Sequence, residues 1–350
     1  MVLSVLESSS HHVDHVRTSA EDDFCAFRPE IQAEFVENWT TDAVPVIPST
    51  VLPNGIAMPM LGLGTTHSGG YYHETVVYAL RNCHYRMIDT AKRYGVEKKL
   101  SLAIKESGVP RKELFLTSKL WPVDFGYEST REACRGSCER LGTDYLDLYV
   151  IHFPEIPRWF EQPRLIREET WRALERLYDD GVCRAIGVSN YNQKDLEELL
   201  EFCSIKPHVN QCEFHPYINP MQLREFCKEE NIMFTGYCPL AKGKILDEEV
   251  IKRVATKHNK TAAQVCLRWS VENGVPAIPK SRQSYRIRQN CDIFDFALDE
   301  SDMESLANLH DPSRKCVKLE NLQEKYSLPD GYKLNGISSI CDNSVVSFVS

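Results

Sequence analysis

The sequence has no apolar run approaching the roughly 18 residues that a membrane-spanning helix requires. It lacks a basic stretch followed by an apolar one near its N-terminus, so no secretory signal is expected. Positive charge is not in surplus either: the net charge is −9 and the pI is near 5.7. That balance excludes an obvious nucleic-acid or anionic-membrane surface. The 13 cysteines show neither a disulfide framework nor a zinc spacing, being odd in number and scattered through predicted helices and strands. Cys134 and Cys138 are four apart on a predicted helix, but no histidine or second cysteine pair stands beside them, so no metal site is expected. Reduced thiols in a cytoplasmic protein are the natural reading. His11, His12, Asp14 and His15 lie in a segment without sustained periodicity and read as a solvated tail.

What is present is a chain of 350 residues, enough for one large α/β domain with tails. The expected division is a disordered or loosely packed extension over 1–43, a barrel domain over 44–315, and a loop or tail over 316–350. Ala43–Leu52 and Ile56–Met60, separated by Pro53-Asn54-Gly55, predict a β-hairpin. From Leu61 onward strands and helices alternate. Strands are predicted over 61–65, 86–90, 114–119, 147–152, 184–189, 208–212, 232–237 and 275–279. Amphipathic helices are predicted near 71–84, 96–107, 127–141, 165–180, 193–203, 221–230 and 261–273, several stopped by Gly108, Gly142, Gly181, Asn231 or Gly274. Eight such units predict a closed (β/α)8 TIM barrel. An open doubly wound sheet would want a Gly-x-Gly-x-x-Gly turn after its first strand, and Gly62-Leu63-Gly64-Thr65 is not one. Two extra helices are expected over 246–258 and 298–310.

A barrel gathers its chemistry at the C-terminal ends of its strands. In order, those ends carry Asp89 with Tyr94, Lys119, His152, Ser189-Asn190, Gln211, Tyr237 and Lys280-Ser281. Core packing alone would leave such positions to turn formers. Tyrosine is a poor acid at neutral pH and becomes a useful proton donor when a cation lowers its pKa and a carboxylate places the cation. Tyr94, Lys119 and Asp89 are suited to those roles, and His152 can orient a substrate oxygen on which charge develops.

With Ile88-Asp89-Thr90-Ala91, Tyr94-Gly95-x-Glu97, Ser118-Lys119-Leu120-Trp121 and His152-x-Pro154, the chain resembles the aldo-keto reductases over roughly residues 45–312. The resemblance implies reduction of aldehydes or ketones to alcohols with NADPH, and Asp89, Tyr94, Lys119 and His152 as the catalytic set. It assigns Ser189, Asn190 and Gln211 to the nicotinamide carboxamide and Tyr237 to stacking on the nicotinamide ring. Lys280, Ser281 and Arg286 would meet a 2′-phosphate, and Asn290 the adenine. Thr66, Trp121 and Phe153 would line the substrate pocket; Thr66 and Phe153 stand where many family members carry tryptophan. Cys238 replaces a common serine, Gln289 stands where many members have glutamate, and the short Tyr237–Lys280 connection implies an abbreviated clasp over the cofactor. A small-molecule carbonyl substrate, no nucleic acid, no membrane and a monomer are expected. The alternative is a cofactor-binding auxiliary or structural protein on the same scaffold.

Overall fold

The computed structural model describes residues 46–65 and 70–317. The extension expected over 1–43, the tail beyond Val317 and the pocket residue Thr66 lie outside the described residues.

The chain enters through an antiparallel hairpin, β1 (Ser49–Val51) and β2 (Ala57–Pro59), in register from Ser49↔Pro59 to Val51↔Ala57. Gly55 takes φ +84° in the turn, a conformation that costs glycine nothing. Asn54 donates its side-chain amide to the Arg184 carbonyl at 2.9 Å, fastening the turn to the barrel. Leu52 and Met58 are buried against Met87, Phe115, Leu148 and Val209, so the hairpin caps the apolar interior of the barrel.

Seven parallel strands follow in sequence order: β3 (Leu63–Gly64), β4 (Met87–Asp89), β5 (Phe115–Leu120), β6 (Leu148–Ile151), β7 (Ile186–Ser189), β8 (Val209–Glu213) and β9 (Met233–Tyr237). The eighth strand expected over 275–279 is not regular, because Pro276 and Pro279 have no N–H to give. The segment still closes the ring. Ala277 donates to the Met60 carbonyl at 3.0 Å and accepts from Gly62 at 2.9 Å, while Gly236 donates to the Pro276 carbonyl at 2.8 Å from the other side.

The helices are α1 (His73–Asn82), α2 (Glu97–Ser107), α3 (Tyr127–Leu141), α4 (Pro163–Asp179), α5 (Gln193–Leu200), α6 (Met221–Glu229), α7 (Glu249–Lys257), α8 (Ala262–Glu272), α9 (Ser284–Cys291) and α10 (Glu300–Ala307). The residues read as helix stops, Gly108, Gly142, Gly181, Asn231 and Gly274, have φ values of +74°, +66°, +72°, +55° and +72°. Asn192 with Asp195 and Thr261 with Gln264 form reciprocal capping boxes at the starts of α5 and α8. The two expected extra helices are α7 and α10. The sequence pattern set no bounds for α9, which is short and polar apart from Ile287 and Cys291, so no apolar period marks it. Inner helix faces, including Leu80, Leu100, Cys134, Leu174, Leu196 and Leu267, pack on the outside of the strands.

β7 and β8 approach so closely that a Cβ on Gly187 would lie 2.5 Å from the Val209 carbonyl oxygen. Gly187→Ala should therefore destabilise the protein by about 1–3 kcal/mol, as overpacked cores do. A urea unfolding midpoint equal to the wild-type value would show that the two strands can separate at no cost.

Candidate active site

β4 ends on Asp89, and β5 places Lys119 one position before its own end. Both residues are buried, at 3% and 1% exposure. Lys119 Nζ donates to Asp89 Oδ1, and also to the Thr90 carbonyl at 3.1 Å. The other carboxylate oxygen, Asp89 Oδ2, accepts from Gln211 Nε2 at 3.0 Å. Tyr94 reaches the same spot from a short 3-10 turn, Lys92–Tyr94, and its ring centroid lies 5.4 Å from Lys119 Nζ. The Lys119 charge acts directly on the Tyr94 phenol. His152, just past β6, meets the Tyr94 ring edge-on with centroids 5.7 Å apart. All four residues of the expected catalytic set thus share one site.

Burial pulls the Lys119 pKa down, but Asp89 and Tyr94 more than offset it, so the ammonium holds its proton more tightly than an ordinary lysine. Tyr94 departs from the sequence expectation. Burial raises its pKa, and the Lys119 charge and hydrogen bond only partly oppose the rise. The phenol therefore stays protonated at physiological pH, the state a proton donor needs.

One wall of the site is aromatic. Trp121 stands edge-on to His152 at 5.5 Å and to Phe153 at 5.7 Å, and His152 stacks on Phe153 at 4.8 Å. Arg93 lies over the Trp121 ring at 5.4 Å.

Next to His152 lies a hydrogen-bonded platform. Asn190, in left-handed backbone at φ +65°, donates to the His152 carbonyl at 2.9 Å and to Ser189 Oγ at 3.0 Å. It accepts from the Tyr237 hydroxyl at 2.6 Å, which fixes that half-buried ring. Ser189 in turn donates to the Gln211 carbonyl at 2.8 Å. The residues expected to meet a carboxamide are thus each other's partners as well. The Gln211 bond to Asp89 ties this platform to the catalytic set, a link that sequence spacing did not reveal.

Beyond the ring-closing segment, Lys280 donates to the Gly70 carbonyl at 2.6 Å. Burial and the neighbouring Arg282 charge lower its pKa to about 8. Arg286 is exposed on α9, and Arg286 Nε donates to the Tyr285 hydroxyl at 3.1 Å. Ser281 Oγ accepts from the Gln283 N–H at 3.0 Å, turning the chain into α9, on which Asn290 is buried. Arg282 was overlooked in the sequence, although it sits in the same Lys280-Ser281-Arg282 run.

A further cluster was also missed. Glu213, at the end of β8, accepts from the backbone N–H of Cys316 at 2.6 Å and of Val317 at 2.8 Å. Its Oε1 also lies 2.9 Å from His215 Nε2. Potential ligand atoms of Glu213, His215 and Cys316 all fall within 4.8 Å of one another. A separate cleft of about 390 Å³ at the N-terminal mouth of the barrel, lined in part by Arg86, Lys112, Asp147 and Arg184, holds none of the expected site residues.

Residues 60–311 match the model of the Aldo/keto reductase family. An uncharacterised oxidoreductase of Caenorhabditis elegans is 53% identical over 291 residues, covering 83% of this chain and 90% of that protein. Glyoxal reductase of Bacillus subtilis is 48% identical over 265 residues, covering 75% and 93%. Among solved structures, an aldo-keto reductase from a Medee basin deep-sea metagenome library superimposes with TM-score 0.70 at 42% identity, covering 75% of this chain and 95% of that one. An aldo-keto reductase complexed with NADPH superimposes with TM-score 0.72 at 28% identity, covering 78% and 90%.

Proposed function

This chain belongs to the aldo/keto reductase family, and from that premise we propose that it reduces aldehydes or ketones to alcohols with NADPH. The observation that carries the reading is the Tyr94 phenol ring held beside the buried Lys119–Asp89 pair and the His152 ring. Bound NADPH supplies the hydride. Tyr94 gives its proton to the carbonyl oxygen as charge develops there, and Lys119 stabilises the phenolate left behind. Asp89 neutralises Lys119 and holds it in place. His152 donates to the same oxygen and orients it, against the wall of Trp121 and Phe153.

The donor set fits the cofactor. Tyr237 offers a fixed ring face for the nicotinamide, with Ser189, Asn190 and Gln211 for the carboxamide. Lys280, Arg282 and Arg286 form a run of cations that suits a phosphate dianion and has no use for a bare ribose hydroxyl. Ser281 would add a donor to that phosphate, and Asn290 would meet the adenine. The NADPH complex of a structural neighbour and the glyoxal reductase activity of a relative support this reading, and make small dicarbonyls the first substrates to assay. Eleven cysteines of the described residues are free thiols, and no helix among those residues is long and apolar enough to cross a membrane. A cytoplasmic monomer forms part of this proposal.

NADPH should bind roughly ten- to a hundredfold tighter than NADH, because a charge-assisted contact to phosphate contributes about 1.5–3 kcal/mol. Arg286→Ala should erase much of that ratio while leaving NADH affinity near wild type. Fluorescence titration of both cofactors decides the matter; equal wild-type affinities would remove the assigned phosphate site. The Lys280 pKa near 8 adds a pH signature. A phosphate binds the charged lysine and raises its pKa, so NADPH affinity should be full below pH 8 and fall as the pH rises through that value. Lys280→Met should flatten the dependence, whereas a profile equally steep in the variant would place the titrating group elsewhere.

A further inference from the structure

We propose that Glu213, His215 and Cys316 form a zinc site that fastens the segment after α10 to the rim of the barrel. Glu213 ends β8, and the ring of His215, two residues on, places Nε2 2.9 Å from Glu213 Oε1. Cys316 comes 103 residues after Glu213, so no ligand spacing marks the set in the sequence. The backbone around Cys316 is held from two directions. Glu213 accepts the N–H groups of Cys316 and Val317 at 2.6 and 2.8 Å, and Lys242 Nζ donates to the Cys316 carbonyl at 3.0 Å. The three side chains offer one oxygen, one nitrogen and one sulfur, all within 4.8 Å of one another.

These dimensions suit zinc. Bonds of about 2.0–2.2 Å to oxygen and nitrogen and about 2.3 Å to sulfur place tetrahedral ligand atoms roughly 3.4–3.6 Å apart. The Glu213–His215 contact then needs to open by only about half an ångström. Thiolate and imidazole select zinc over magnesium and calcium, which favour oxygen ligands throughout. Three protein ligands leave the fourth position to water. Cys316 is half-buried, which gives the ion a way in.

Charge balance points the same way. Five described carboxylates are at most 3% exposed: Asp89, Glu97, Asp124, Asp147 and Glu213. The first four each pair with a lysine or arginine. Glu213 has neither; its ion-pair partner among the described residues is His215. A dication set against one carboxylate and one thiolate makes a neutral centre, the form that burial tolerates. The His215 ring is itself incomplete. It is fully buried, and its Nδ1 has no hydrogen-bond partner among the described residues. A carboxylate can only accept, so Nε2 carries the proton of the neutral ring and a lone pair goes unused. On binding, that proton moves to the other nitrogen, Nε2 becomes the ligand, and the Cys316 thiol releases its proton to solvent.

The test uses the full-length protein, stripped with a chelator and kept reduced. It is titrated with zinc against a chromophoric chelator, and separately with cobalt(II). His11, His12 and His15 are themselves able to take zinc, so both titrations are repeated with those three replaced by alanine. The triple variant should bind one zinc per chain with a dissociation constant of about 1 μM or below. Its cobalt complex should show a thiolate-to-cobalt charge-transfer band. Adding Cys316→Ala should abolish the band and weaken zinc at least about a hundredfold, since losing even an outer partner of a ligand costs up to that much. The melting temperature of the metal-free protein should move by no more than about 2 °C on that change, which separates ligand loss from unfolding. Zinc should also protect Cys316 from iodoacetamide while half-buried Cys203 reacts equally with and without it. Magnesium should neither protect Cys316 nor displace zinc. A triple variant that binds no zinc would overturn the proposal. So would a cobalt complex without the thiolate band, or a zinc affinity that Cys316→Ala leaves unchanged.

Discussion

Tyr94→Phe should slow carbonyl reduction by about a hundred- to ten-thousandfold while NADPH binding stays close to wild type. Phenylalanine keeps the ring that meets His152 edge-on and lies beside Lys119, so the packing is preserved. What disappears is the hydroxyl, the proposed proton donor to the nascent alkoxide. General acid catalysis typically contributes about 10²–10⁴ in rate, and a contact to the developing oxyanion goes with it. Stopped-flow mixing of the preformed NADPH complex with an aldehyde isolates this step from product release. A variant that keeps more than about a tenth of the wild-type rate would move the donor role to His152. Tyr94→Phe combined with Lys119→Met should be little worse than the worse single change, because the two residues act as one unit.

The second large effect is on stability. From sequence, Asp89 reads as a residue that merely places Lys119. At 3% and 1% exposure, it is also the countercharge of a lysine sealed in the protein. Removing one partner of a buried pair strands the other charge and costs about 3–5 kcal/mol. Asp89→Asn should therefore lose about that much unfolding free energy, and lose activity as Lys119 sheds its proton. Adding Lys119→Met removes the stranded charge, so the double variant should be less destabilised than the sum of the two single variants. Chemical denaturation of all four proteins measures both terms. An Asp89→Asn protein within about 1 kcal/mol of wild type would show that water or another group supports the bare ammonium.

How far the sequence could be read depended on where each determinant lies along the chain. Strand ends, helix stops and the hairpin turn are local, and Asp89, Lys119, His152, Gly142 and Gly55 sit where the pattern put them. The ring-closing segment misled, because Pro276 and Pro279 bound an apolar stretch that joins its neighbours without becoming a regular strand. α9 could not be bounded for the opposite reason: Ile287 and Cys291 pack it against its neighbours, but it is too short and polar to show a period. Contacts between distant positions left no trace at all. Nothing in the spacing says that Gln211 bonds Asp89, 122 residues away, or that Glu213 clasps Cys316, 103 residues away. The Tyr94 pKa belongs to the same class. The sequence supplies a cation to lower it, and only the packed site reveals that burial wins.

The most direct test of the proposed activity is a single-turnover experiment with wild-type protein, a stoichiometric amount of NADPH and excess glyoxal or methylglyoxal. The reduced-cofactor absorbance should be lost with formation of one equivalent of the corresponding alcohol, and should persist without the carbonyl. Tight NADPH binding with no alcohol formed from these or from a panel of aldehydes and ketones would contradict it, and would make the protein a cofactor-binding scaffold instead.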